Sequence, residues 1–159
     1  EKRKFAKTFH GALVPFAERR IINMKHTMKL RPNPFRMILC GEKTYELRLY
    51  DEKRQCIKIG DKIVFVNTKT DEPLVVSVKS IHIFKNFTEL YQALPLLKCG
   101  YTEENLTTAN PADMEEYYSK EQQMQYGVVA FEIERITERQ FVNGRIGGTG
   151  NGLQGTIGD

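Results

Sequence analysis

The stretch KTYELRLY, residues 43–50, alternates between polar and apolar side chains with a period of two from its second residue onward. That period is typical of a β-strand with one buried face, here formed by Tyr45, Leu47 and Leu49. The intervening polar side chains would share the opposite face. The stretch therefore predicts the strand around which the fold is organised.

Other segments of the chain have the composition of short strands. Residues 63–66, 74–84 and 128–136 are rich in β-branched and aromatic side chains, and turn signals at 60–61 and 70–73 bound the first two. Because residues 128–136 and the strand at 43–50 lie far from the other segments in the sequence, we expect several of the strands to meet through non-local pairing.

Helices are predicted mainly from two Asn-Pro pairs. Asn33 and Asn110 are good helix caps, and the proline that follows each suits the first helical position. They predict helices over residues 33–40 and 111–125, and weaker helical patterns cover residues 87–97 and 103–106. The order of helix, strands, helices and strand favours a small mixed barrel or an α+β domain over a doubly wound sheet. Our prediction is an α+β fold with a β-barrel of five or six strands flanked by helices.

The two ends of the sequence lack an apolar period. We expect residues 1–27 to form a basic N-terminal arm or extension, residues 28–138 to form the domain, and residues 139–159 to be a disordered glycine-rich tail. The tail contains GNGLQG at 150–155, which has glycines at the spacing of a dinucleotide fingerprint. No strand precedes it and only four residues follow, so it lacks the context that such a site needs.

Charge is distributed unevenly. Residues 1–36 hold ten Lys or Arg against two Glu, whereas the rest of the chain holds 14 basic and 18 acidic side chains. The overall charge of +4 therefore reflects the N-terminal segment. A polyanion site within the domain would have to be a local patch.

Composition also limits the class of protein. No apolar run approaches the roughly 18 residues needed to cross a bilayer, and no secretory signal is evident. Cys40, Cys56 and Cys99 form no CxxC pair, so we expect reduced, mostly buried thiols and a cytoplasmic protein. The histidines, His82 among them, lack metal-ligand spacing, and we expect neither a metal nor a cofactor.

Lys43, Glu46 and Arg48 offer chemistry on one strand face. A partly desolvated lysine could act as base or nucleophile with Glu46 as its charge partner, and Arg48 offers a planar fork for a phosphate or a carbonyl oxygen. The alternative is a solvated strand face with cross-strand ion pairs. Alternation alone leaves both interpretations open.

The motif GEKTYELR, residues 41–48, resembles the GxKxxExR signature of the ASCH family. The following LYDEKR at 49–54, the turn IGD at 59–61 and the strand YGVVAFEI at 126–133 are similar to the small free-standing archaeal and bacterial members. The resemblance covers about residues 28–136. It implies a PUA-like β-barrel with an RNA-binding cleft beside the signature strand.

The resemblance also implies a candidate reaction. Some small bacterial relatives hydrolyse the amide of acetylcytidine with a lysine, a threonine three positions later and a more distant glutamate. Lys43 matches that lysine, but position 46 is Glu, and Thr44 is the neighbouring hydroxyl. The distant acid has four candidates, namely Glu89, Glu103, Glu115 and Glu121.

Three functions follow as hypotheses. We favour a domain that binds RNA or a nucleotide, with an amidohydrolase that deacylates a modified nucleoside as the alternative; there Lys43, Glu46 and Thr44 would be catalytic. The third hypothesis is an interaction adaptor whose basic arm supplies the affinity. The expected binding residues are Lys43, Arg48, Tyr50, Lys53, Arg54, Tyr117 and Tyr118.

Two tyrosines are candidates for stacking a base in the cleft. We expect either Tyr117 or Tyr118 to face it. The alternative is that Tyr117 packs inward and Tyr118 lies on the helix surface. Tyr126 is expected to pack at the corner between helix and strand.

Overall fold

Five strand-forming segments pair into one mixed β-sheet in the computed structural model, which describes residues 23–137. The strands are β1 (Lys25–Leu30), β2 (Tyr45–Leu49), β3 (Lys62–Asn67), β4 (Pro73–Phe84) and β5 (Val128–Arg135). The α-helices are α1 (Pro32–Leu39), α2 (Glu52–Gln55), α3 (Phe87–Ala93), α4 (Glu103–Leu106) and α5 (Lys120–Tyr126). Two 3₁₀ helices cover Leu96–Lys98 and Pro111–Glu116. The predicted α+β class is confirmed.

The sheet has the strand order β1-β3-β4-β5-β2 and curls into a half-barrel. β1 pairs with β3 in parallel, and the other neighbours are antiparallel. β1 and β2 are the edge strands, and a side chain spans the gap between them: Arg48 Nη2 donates to the carbonyl oxygen of Lys29 at 2.9 Å. The expected barrel is thus an open sheet whose edges a guanidinium bridges.

Apolar side chains pack on both faces of the sheet. One cluster joins α1 to β1, β3, β4 and β5, and the other joins β2 and β5 to α3. Successive residues of β5 alternate between the two, with Val128 and Ala130 in the second cluster and Val129 and Phe131 in the first. The sequence of β5 is therefore a nearly continuous run of apolar residues, as expected for a strand that is covered on both faces.

β1 corrects the predicted boundary of the domain. Residues 25–27 were expected in the arm, but they form the first half of β1. The carboxylate of Asp61 holds this end of the strand: it accepts hydrogen bonds from the backbone N–H of Met24 at 2.9 Å and from His26 Nε2 at 2.8 Å. The strand was missed because the residue that anchors it, Asp61, lies 35 residues from His26 in the sequence. Such a distant partner produces no recognisable strand pattern at positions 25–27.

Two helix boundaries also differ from prediction. α1 begins at Pro32 with Arg31 in the cap position, two residues before the expected Asn33 cap. The helix predicted over 87–97 ends at Ala93, since Pro95 cannot continue the backbone hydrogen bonding of a helix. A separate 3₁₀ turn follows.

The single helix predicted over 111–125 is wrong. The structure has a 3₁₀ helix to Glu116, a break, and then α5 from Lys120. Ser119 starts α5: its side chain accepts from Gln122 N–H, and the Gln122 side chain accepts from Ser119 N–H. This capping box was the missed signal.

Within residues 23–137, no helix combines the length and the apolar character needed to cross a membrane. The remainder of the predicted arm, His10, the end of the predicted domain at 138, and the glycine-rich segment with its GNGLQG motif lie outside the described residues.

Candidate functional site

A cavity of about 420 Å³ lies beside β2, between α1, α3 and the segment around the 3₁₀ helix Pro111–Glu116. Its wall includes Lys43, Glu46 and Arg48, the three residues predicted as a cluster from the strand alternation. The predicted apolar face of the strand is confirmed, because Tyr45, Leu47 and Leu49 all pack in the cluster of β2, β5 and α3, and Leu47 also contributes to the cavity wall.

An ion-pair cluster occupies this part of the cavity. Lys43 Nζ lies 3.0 Å from Glu46 Oε2, and Arg48 Nε donates to Glu46 Oε1 at 2.8 Å. Lys43 is 7% exposed and Glu46 is 4% exposed, so the expected alternative of a solvated strand face does not apply to them. A glutamate that is desolvated between two cations is the central feature of the site.

The electrostatics follow from that arrangement. Burial by itself would raise the pKa of Glu46, but the charges and hydrogen bonds of Lys43 and Arg48 hold it below its ordinary value. The Glu46 side chain is therefore a carboxylate at neutral pH. Its Oε2 atom is buried and lies 3.0 Å from the Lys43 ammonium.

Backbone geometry sets the position of Lys43. The chain leaves α1 through Gly41, and the N–H of Lys43 donates to Met37 O at 3.1 Å. Its ammonium also donates to Cys99 O at 3.2 Å. Gly100 follows with φ +113°, and a Cβ there would lie 3.7 Å from Nζ. The lysine is thus held between the end of α1 and a backbone segment 56 residues away.

Four aromatic side chains contribute to the cavity wall: Tyr91, Tyr101, Tyr117 and Tyr118. Tyr118 is half-buried and stacks on Phe87, with ring centroids 5.9 Å apart. Tyr117 is exposed, and the Arg31 guanidinium lies 4.7 Å from the centre of its ring. The alternative with Tyr117 inside and Tyr118 outside is wrong, because the break before α5 turns Tyr118 toward the core.

Four predicted site residues do not line the cavity. Thr44 contributes backbone hydrogen bonds to Lys98 O and from Ile133 N–H. Tyr50 packs against the apolar cluster at the far end of β2. Lys53 is exposed on α2, and Arg54 pairs with Asp51 at 2.8 Å. β2 ends at Leu49, so the strand period that predicted a shared face stops before these last three residues.

None of the four candidates for a distant glutamate lines the cavity. Glu89 accepts from Lys85 N–H, and Glu115 pairs with Lys120. Besides Glu46, the acids among the described residues that line it are Asp113 and Glu116. The position of Asp113 could have been recognised from the sequence, because it lies three residues after the Asn110 cap, where the acidic partner of a capping box is common.

Histidine and cysteine positions bear on metal and redox chemistry. His82 bonds Ser80 at 2.9 Å and packs edge-on against Tyr45. Among residues 23–137, no group of His, Cys, Asp and Glu side chains is arranged to hold a metal ion. All three cysteines are free, but only Cys99 is buried, so the expectation of mostly buried thiols is wrong for Cys40 and Cys56.

The chain is similar to a known protein family and to solved structures. The sequence model of the ASCH domain matches residues 28–137. The crystal structure of the hypothetical protein PH0355 is 37% identical, with a TM-score of 0.58, and the match covers 71% of this chain and 100% of that one. Protein PF0455 from Pyrococcus furiosus is 34% identical, with a TM-score of 0.57, and 71% and 98% coverage.

A more distant likeness concerns the fold alone. The ASCH protein from Zymomonas mobilis is 14% identical, with a TM-score of 0.51, over 79% of this chain and 81% of that one. No curated protein matches the sequence.

Proposed function

The chain belongs to the ASCH domain family, and we propose that it binds RNA or a nucleotide through the cavity beside β2. The observation that carries this proposal is the buried Lys43–Glu46 pair in the cavity wall. An ammonium carries three N–H donors, and Glu46 Oε2 retains acceptor capacity. A donor and an acceptor side by side are the complement of a nucleobase edge.

The size of the cavity supports one nucleotide unit. A volume of about 420 Å³ is within the range of small-molecule sites and suits a single nucleoside. RNA would enter it as an unstacked base, which is the usual mode of sequence-specific single-strand recognition. We also propose that the domain is PUA-like, as the family resemblance implies, and such a fold is compatible with the binding of an unstacked base.

The mouth of the cavity supplies a place for the rest of the ligand. Arg31 is 62% exposed there and lies over the Tyr117 ring, so the pair offers a stacking surface next to a cation. Glu116 lies 3.9 Å from Arg31. A phosphate at the mouth would compete with Glu116 for the guanidinium, which limits its contribution to affinity.

Titration of the protein with nucleoside monophosphates and short single-stranded RNA tests this function. Lys43→Met should weaken binding by at least about tenfold, the scale of a lost hydrogen bond to a charged group. The matched control is Lys79→Met, because Lys79 forms an exposed pair with Glu134. If Lys43→Met is folded and binds as tightly as the control, the cavity is not the binding site.

Hydrolysis of an acylated nucleoside is a second candidate. It is favoured by the burial of Lys43 and Glu46 in a cavity rather than on an open face. Water would add to the amide carbonyl carbon, the C–N bond would break, and the amine would leave with a proton. Lys43 would polarise the carbonyl oxygen, and Glu46 would take the proton from water.

The side chains of the cavity argue against a protein nucleophile. No serine or threonine among residues 23–137 lines it. Burial raises the pKa of the Cys99 thiol to about 11, so the thiolate is scarce at neutral pH. Incubation with acylated nucleosides decides between the candidates: a rate that falls about 100-fold in Glu46→Gln supports hydrolysis. No turnover by the wild type, together with binding, leaves recognition as the function.

A further inference from the structure

Three side chains in the cavity wall form a hydrogen-bonded chain. The hydroxyl oxygens of Tyr91 and Tyr101 lie 2.6 Å apart, and Tyr101 donates to Asp113 Oδ2 at 2.9 Å. Tyr91 is on α3 and Asp113 is on the 3₁₀ helix Pro111–Glu116, with Tyr101 between them. All three residues line the cavity.

The direction of this chain follows from counting protons. Asp113 Oδ2 also accepts from the backbone N–H of Asn110 at 3.0 Å, so this oxygen acts as an acceptor. Tyr101 has one hydroxyl proton and gives it to Asp113. The bond between the tyrosines must therefore be donated by Tyr91. Its oxygen then has lone pairs but no proton left for a ligand.

Both phenols keep their protons at neutral pH. Burial is the main cause that raises the pKa of Tyr91 and of Tyr101 above the ordinary value. The rings also hold each other in place, edge-on with centroids 5.7 Å apart. The chain is therefore a fixed arrangement of donors and acceptors in the wall.

We propose that Tyr101 and Asp113 determine specificity by making Tyr91 an acceptor, so that the cavity selects nucleobases with an amino group over those with a carbonyl oxygen at the same place. This inference rests on the proposed function. It concerns which base is accepted, whereas Lys43 and Glu46 offer both a donor and an acceptor and do not by themselves discriminate.

Two pairs of nucleosides, cytidine with uridine and adenosine with inosine, provide the test, since each pair exchanges an amino group for a carbonyl oxygen at nearly constant shape. The full-length wild type should bind the amino member of at least one pair more tightly. Tyr101→Phe keeps the ring but removes the acceptor for the Tyr91 proton, which then becomes free to donate to a ligand. The affinity ratio should shift about fivefold or more toward the carbonyl member.

Two further variants separate this mechanism from a general effect on the wall. Asp113→Asn keeps a carbonyl oxygen that can accept from Asn110 N–H and from Tyr101, so the ratio should stay within about twofold of wild type. Tyr91→Phe should abolish the preference without favouring the carbonyl member.

Other outcomes contradict the proposal in distinct ways. If Tyr101→Phe binds both members of each pair with an unchanged ratio, the hydrogen-bonded chain does not set specificity. If the variant instead changes only the ratio of cytidine to deoxycytidine, the Tyr91 oxygen contacts the ribose and the assignment to the base is wrong. If the wild type binds no nucleoside and no RNA, the proposed function fails and this inference with it.

Discussion

The buried charge of Glu46 is stable only because two cationic side chains lie beside it. A carboxylate with 4% exposure would be costly alone, but Lys43 and Arg48 contact its two oxygens at 3.0 and 2.8 Å. Removing the negative charge would leave the buried Lys43 ammonium and the half-buried Arg48 guanidinium without the anion that separates them. The site is therefore a balanced group of three charges rather than a set of independent residues.

This balance predicts a pH dependence for Glu46→Gln. The pKa of Glu46 is lowered in the folded protein, so its contribution to stability is present above the unfolded value near pH 4.3 and is lost as pH falls through the folded value. At pH 7 the variant should lose about 3–5 kcal/mol of unfolding free energy, measured by urea denaturation. At pH 3 the difference should be clearly smaller.

Glu134→Gln is the matched control, because Glu134 is 58% exposed and pairs with Lys79 on the surface. Its effect should stay within about 0.5 kcal/mol at both pH values. An equal loss for Glu46→Gln at pH 7 and pH 3 would show that shape rather than charge makes Glu46 important.

Among the secondary-structure elements, the connection between α5 and β5 depends on one glycine. Gly127 ends α5 with φ +70°, and a Cβ there would lie 3.0 Å from the carbonyl oxygen of Phe84. Tyr126 is the last residue of the helix and packs against the apolar cluster of β2 and α3, as expected for the corner. The glycine lets β5 start directly beside β4.

Gly127→Ala should destabilise the protein by more than Gly41→Ala. Both glycines have positive φ, but a Cβ at Gly41 would meet nothing within 4 Å. Gly41→Ala should therefore cost only the backbone strain of about 1 kcal/mol, and Gly127→Ala should cost about 2–3 kcal/mol because the Phe84 carbonyl must also shift. Thermal and urea unfolding of the two variants measure this difference, and equal losses would contradict it.

At the scale of the molecule, both apolar clusters are built from residues 28–133. The sheet pairs its strands within the same range plus residues 25–27 and 134–135. Among the described residues, these contacts form a continuous sheet with apolar packing on both faces.

A shortened chain of residues 23–137 is therefore expected to unfold cooperatively with a Tm within a few degrees of the full chain, and to bind nucleotides with similar affinity. Circular dichroism and the same ligand titrations check this. Removal of residues 1–22 should reduce only salt-sensitive, nonspecific RNA association. Loss of all binding on truncation would instead favour the adaptor hypothesis, in which the basic arm supplies the affinity.

Local patterns predicted the parts of the fold that depend on neighbours in sequence. β2, β3, β4 and β5 were expected within one or two residues at each end, because strand periodicity and turn residues are local. β1 was missed, since its anchor is the Asp61 carboxylate from a distant turn. The break before α5 was missed although a local capping box marked it.

The sequence by itself determined one side of the site. Lys43, Glu46 and Arg48 lie within six residues, and a period of two is enough to bring the last two to one face with the lysine beside them. Their chemistry and the ASCH motif could therefore be read directly from residues 41–48.

Only the tertiary structure decided the opposite wall. Tyr91, Tyr101 and Asp113 all come from segments that begin at least 38 residues after the end of β2. Tyr91 and Asp113 lie in short helices and Tyr101 lies in the connection before α4, and none of these segments has an apolar period that marks the cavity. The packing of α3 against β5 and of the 3₁₀ helix Pro111–Glu116 against α3 brings them there. Because that packing depends on the summed burial of two apolar clusters rather than on any local spacing, it could not be predicted from the residues that form the wall.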